Sequence, residues 1–106
     1  MKDCYSKSNV STNYLHKYGF NFYCTVDKLK SVFGEPCIED NFQDEKVKFL
    51  WKLSYYELDF TISNSKYSHP IVESQQIIFK IDTRTEQQSK IIYTKLLNDN
   101  IIKPIN

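Results

Sequence analysis

Hydrophobic and polar residues change their spacing several times along this chain, and each change marks an element. Between residues 46 and 55 the period is two. Val47, Phe49, Trp51, Leu53 and Tyr55 alternate with Lys46, Lys48, Leu50, Lys52 and Ser54, which predicts a long strand with one face on the core. After Tyr56-Glu57 the alternation resumes, with Leu58, Phe60 and Ile62 set against Asp59, Thr61 and Ser63. Two such runs with almost no spacer predict an antiparallel hairpin whose turn lacks Asn-Gly chemistry. Ile77, Phe79 and Ile81 mark a third strand of this sheet. The aromatic-dense run Phe20–Cys24, just after Gly19, predicts one more strand near the start.

Elsewhere the period is helical. Val26, Leu29, Val32 and Phe33 fall on one face behind Thr25, a good N-cap, with Asp27 in the first turn. Gly34, expected in a left-handed conformation, and Pro36 close this helix, Val26–Phe33. A second helix is predicted over Thr85–Asn98. Two overlapping capping boxes open it, Thr83 with Glu86 and Thr85 with Gln88. Ile92 with Leu96 and Tyr93 with Leu97 form i, i+4 pairs, and the Asn98-Asp99-Asn100 cluster ends it. Three stretches lack periodicity: Met1–Ser11, expected to be a loose tail; Glu35–Glu45, with five acids and no base; and Asn64–Ser74. Tyr14, Leu15 and Tyr18 are the residues able to dock the N-terminal segment on the body.

The element order is therefore β-α-β-β-β-α. It predicts a two-layer α+β fold, with a mostly antiparallel sheet covered on one face by two helices. Residues 1–18 form a flexible or docking segment and 19–106 a single domain. At 106 residues a chain buries roughly two thirds of its unfolded surface, enough for a core without disulfide or metal. No uncharged stretch is long enough for a transmembrane helix or a secretory h-region, so an intracellular protein without a membrane partner is expected.

Composition changes how the lysines are read. Phe, Tyr, Met, Ile, Asn and Lys supply 48 residues, whereas Gly, Ala, Arg and Pro supply six, with no alanine at all. The first group has AT-rich codons and the second GC-rich ones. Since alanine is the best helix former, its absence reflects nucleotide bias, and the lysine excess over arginine follows from the same cause. Acids and bases are balanced overall, with a net charge of +1, and in each half of the chain.

Known catalytic and metal chemistry finds no foothold in the sequence. Cys4, Cys24 and Cys37 form no Cys-x-x-Cys and stand at no zinc spacing from His16 or His69. Free thiols are expected. Glu39, Asp40, Asp44 and Glu45 lack the spacing and glycine of an EF-hand loop. Two glycines, Gly19 and Gly34, cannot build a phosphate loop. Asp59 and Glu57 are expected to serve as cross-strand partners of Lys52 or Lys48. The reading is of a non-enzymatic protein with no catalytic residues, cofactor or metal.

What remains is surface. Leu50 and Ile78 are apolar at outward sheet parity, and Ile101, Ile102 and Ile105 make an unusually apolar tail. The tail either docks on its own domain or meets another chain. Together these five residues are the expected interaction surface, serving a homodimer or another, unidentified protein. The alternative is a small nucleic-acid-binding protein using Lys46, Lys48, Lys52 and Tyr56 as a basic and aromatic sheet face.

The motifs Thr25-Val26-Asp27-x-Leu29, Phe33-Gly34-Glu35-Pro36, Lys46-Val47-x-Phe49-x-Trp51-x-Leu53 and Phe60-Thr61-Ile62, followed by a last strand and helix, give the chain a wider likeness. Over about residues 20–98 it resembles small uncharacterised α+β proteins of amoeba-infecting giant DNA viruses and their virophages. The resemblance implies a viral accessory protein, located in host cytoplasm, viral factory or virion, whose partner other than itself is an unidentified viral or host protein. It implies no catalytic activity.

Overall fold

A computed structural model describes residues 4–9, 16–39, 49–64 and 72–105. The fold is α+β, as the spacing predicts. Among the described residues seven strands and two helices follow in the order β1 (Tyr5–Lys7), β2 (His16–Cys24), α1 (Val26–Phe33), β3 (Ile38–Glu39), β4 (Phe49–Tyr55), β5 (Leu58–Asn64), β6 (Ile77–Thr83), α2 (Glu86–Asn98) and β7 (Lys103–Pro104). Every strand pair is antiparallel, and the sheet runs β1-β4-β5-β6-β2-β7. β3 joins β4 on the same edge as β1, opposite Phe49 and Leu50, while β1 lies opposite Leu53–Tyr55.

Register explains the core. Trp51 faces Ile62, which faces Ile81; Leu53 faces Phe60; Phe22 faces Phe79. All lie on one face, all are fully buried, and both helices cover them. Alternation puts every second side chain there, as the period of two requires. Trp51 stands 6.1 Å from Phe49 and 6.2 Å from Phe79 by ring centroid, and its indole N–H donates to the Gly34 carbonyl at 2.9 Å. That bond satisfies the polar end of an otherwise apolar ring. It also ties the exit of α1 to the sheet.

α1 begins as expected, with Thr25 Oγ1 accepting from the Lys28 amide at 3.0 Å. Its buried residues are Val26, Leu29, Val32 and Phe33. Gly34 ends it with φ 82° and ψ −160°. This is not the left-handed helical conformation expected for it but the extended mirror region, which is essentially reserved for glycine. In α2 Thr85 is the N-cap, its Oγ1 accepting from the Gln88 amide at 3.1 Å, but the Gln88 side-chain oxygen makes no return bond, so the capping box is only half formed. Thr83 Oγ1 instead meets Ser89 Oγ at 2.6 Å inside the core, so it is unavailable as a cap.

The helix ends in a Schellman motif. Asn100 takes φ 59°, its amide donates to the Leu97 carbonyl, and the Ile101 amide donates to the Leu96 carbonyl, both at 3.0 Å. In this motif the residue after the left-handed one packs back on the last turn, and Ile101 and Ile102 are buried in the core accordingly.

The N-terminal expectation is corrected. Tyr5–Lys7 is a strand, and Tyr5 is a core residue rather than part of a loose tail. Its ring lies 5.2 Å edge-on from Phe33, 5.7 Å from Tyr55 and 6.4 Å from Phe60. The hydroxyl donates to Asp99 Oδ2 at 3.0 Å. Further on, β2 starts at His16, ahead of the expected Phe20, with its register shifting between Lys17 and Phe20. β3 occupies part of the acidic loop, and β7 adds a short last strand beside Phe22 and Tyr23. Tyr14, Leu15, residues 40–48 and residues 65–71 lie outside the described residues.

Candidate interaction surfaces

The sheet face away from the helices carries the outward residues of each strand. Register sets them in rows: Leu50 beside Ser63 beside Lys80 beside Asn21, then Lys52 beside Thr61 beside Asp82. In these rows short side chains stand between long ones. Thr61, only 2% exposed, lies between Lys52 and Asp82. Leu50 has the predicted outward parity but is only 8% exposed. It is therefore not an accessible contact residue.

The tail is corrected in the same way. Ile101 and Ile102 belong to the chain's own core for the capping reason given above. Ile105 remains 39% exposed. Ile78 is half-buried on the open face and pairs in register with Tyr23, which is 36% exposed and pairs in turn with Lys103 of β7. Thus one of the five expected residues, Ile78, stands beside Tyr23, which the sequence reading passed over. The signal was present, since Tyr23 has opposite parity to the buried Phe22 and Cys24 in the same run.

Of the expected lysine face only Lys52 and Tyr56 are described. Lys46 and Lys48 lie outside the described residues. Lys52 projects from the open face, whereas the Tyr56 ring sits edge-on to Tyr55 at 4.8 Å, and Tyr55 points to the helix side. Asp59 does not pair with Lys52, because register puts it opposite Ser54. Instead it accepts from Ser8 Oγ at 2.9 Å and meets the Arg84 guanidinium at 3.6 Å.

Between α2 and the end of the β4–β5 hairpin lies a shallow groove of 380 Å³ lined by Tyr55, Lys90, Ile91, Thr94, Lys95 and Asn98. Lys95 Nζ lies 5.8 Å from the Tyr55 ring centroid and 3.2 Å from Asp99 Oδ1. Hydrogen bonding to Asp99 holds the Lys95 ammonium above its ordinary pKa. Burial, then the bond to Asp99, pushes the Tyr5 hydroxyl far up, so it stays protonated and donating. Tyr5, Asp99 and Lys95 thus form a chain of hydrogen bonds that fastens β1 to the end of α2.

All three cysteines are free thiols. Cys24 Sγ donates to the Ile101 carbonyl at 3.3 Å, and burial pushes its pKa up to about 11, which removes thiolate character at neutral pH. Among the described residues no three His, Cys, Asp or Glu side chains gather as a metal site, and no helix is long and apolar enough to cross a membrane. No protein-family model matches the chain, and neither does any curated protein or solved structure.

Proposed function

We propose that this chain is a non-catalytic accessory protein of viral origin that works by protein–protein interaction, as a homodimer joined through the strip Tyr23–Ile78–Ile105. The observation that carries the reading is the pair Tyr23 and Ile78, register partners on adjacent strands of the sheet face that no helix covers, with Ile105 exposed just past the end of β7. Leaving such a strip in water costs free energy that a partner surface recovers. Lys80, Lys103 and Asn21 border it, so that lysine stems extend the contact while their charges stay wet. Association through the face is favoured over association through the edges. β1 is three residues long and carries Lys7, and β7 is Lys103-Pro104; short edges with lysine and proline resist strand addition.

The test is sedimentation equilibrium over a range of concentrations. A mass rising towards twice 12.6 kDa supports the dimer, and Tyr23→Asp with Ile105→Asp should return the chain to monomer without lowering its melting midpoint. A native chain that stays monomeric throughout rejects the reading. A viral origin is tested separately, by detecting the protein in infected amoebae.

A further inference from the structure

Tyr56 occupies a position that tyrosine does not suit. It is the first of two residues in the β4–β5 turn, with φ 56°, where a bulky side chain crowds the backbone and glycine or asparagine fits better. At the other described non-glycine position with positive φ the chain does use asparagine, Asn100. Nucleotide bias does not explain the difference, since asparagine and tyrosine codons are equally AT-rich and the chain holds eight asparagines. Burial does not explain it either, because Tyr56 is 74% exposed. The ring is held out at the hairpin tip, and Ser54 Oγ fixes the turn beneath it by donating to the Tyr56 carbonyl at 2.7 Å.

The ring does not line the groove described above but neighbours one of its walls. It stands edge-on to Tyr55, which forms one wall. The opposite wall, from α2, contributes two lysines, Thr94, Asn98 and Ile91, and no carboxylate. Lys95 is engaged with Asp99, whereas Lys90 is exposed and forms no ion pair among the described residues. An open aromatic ring next to a groove that holds a cation and two neutral hydrogen-bonding side chains is the chemistry that receives a base and its phosphate. An acidic peptide would use Lys90 but leave the Tyr56 ring idle. The volume lies at the low end for small-molecule sites and suits a single nucleotide.

We infer that this groove receives one nucleotide of a single-stranded nucleic acid, with the base stacked on Tyr56 and the phosphate at Lys90. The site is independent of the proposed dimer strip, which lies on the other sheet face at β2 and β7. It also differs from the lysine face, because Lys52 projects on the far side of the sheet.

Anisotropy of a short labelled oligothymidylate, titrated with the full chain at low and moderate salt, tests it. Tyr56→Asn should weaken binding about ten-fold, the scale of losing one stacked base, without lowering the melting midpoint, because asparagine suits the turn. Tyr56→Phe should retain the affinity. Lys90→Gln should flatten the slope of log affinity on log salt by about 0.7, the share of one phosphate contact. Lys52→Gln should change nothing. No binding at low salt, an unweakened Tyr56→Asn variant, or displacement by polyglutamate as effective as by unlabelled oligonucleotide would each overturn the inference.

Discussion

Tyr5 offers the most demanding test of the fold, because only tertiary contacts hold it. The side chain is almost completely buried, within 5.2 to 6.4 Å of three aromatic rings, and its hydroxyl reaches Asp99 across 94 positions of sequence. Truncation to alanine removes a large ring from a packed site and leaves a cavity, which for buried aromatics costs about 3–5 kcal/mol. A domain of this size has roughly 5–15 kcal/mol in hand, so the variant should lose about a fifth of its stability or more. Tyr5→Phe isolates the hydroxyl. The acceptor is a carboxylate, for which a hydrogen bond is worth about 1.5–3 kcal/mol. Asp99 keeps Lys95 at 3.2 Å and retains some water access, so the low end of that range is expected. The assay is urea denaturation followed by tryptophan fluorescence, since Trp51 is the single tryptophan. Unchanged slopes with shifted midpoints give the two differences directly. A Tyr5→Ala variant within about 0.5 kcal/mol of native, the range of ordinary surface substitutions, would mean that the N-terminal segment is loose and the Tyr5–Asp99 contact carries nothing.

Other substitutions test other joints. Gly34→Asn should cost about as much as Gly34→Ala, some 1–3 kcal/mol, since neither tolerates φ 82° with ψ −160° and a Cβ there meets only the end of Lys7, at 3.8 Å; an asparagine variant as stable as native would restore the left-handed reading. Trp51→Ala should cost about 3–5 kcal/mol, and unchanged thermal melting would show that the parity of β4 is misread. In thiol titration at pH 8, Cys37, which is exposed, should react fast and Cys24 only on unfolding. The Cys24 thiol is neutral in the fold up to about pH 11, against 9.0 when unfolded, so its contribution to stability is complete below pH 9 and fades as pH rises through 11. Rapid native-state labelling of Cys24 would contradict its burial.

The sequence disclosed the elements that carry their own periodicity. β4, β5 and β6 each run seven residues, long enough for alternation to declare both the strand and its buried face, and α1 and α2 carry caps as well as an apolar side. β1, β3 and β7 have three residues or two. No period exists at that length, and such strands form because an existing edge offers unpaired groups. Parity told which face Leu50, Ile78 and Tyr23 share but not how deep each lies, since depth depends on neighbouring strands. Ile101 and Ile102 looked like a surface because a Schellman cap places an apolar residue after the helix for reasons internal to the fold. The groove by Tyr56 joins a hairpin tip to a helix more than thirty residues later, and no local pattern anticipates that.

Self-association through the open sheet face is tested most directly by isoleucine methyl spectra recorded across a dilution series. Ile78 and Ile105 should shift with concentration along a common curve while Ile62, Ile81 and Ile92, sealed in the core, stay fixed. Shifts confined to Ile91 on α2, or no shifts at any concentration, would contradict a dimer built on Tyr23, Ile78 and Ile105.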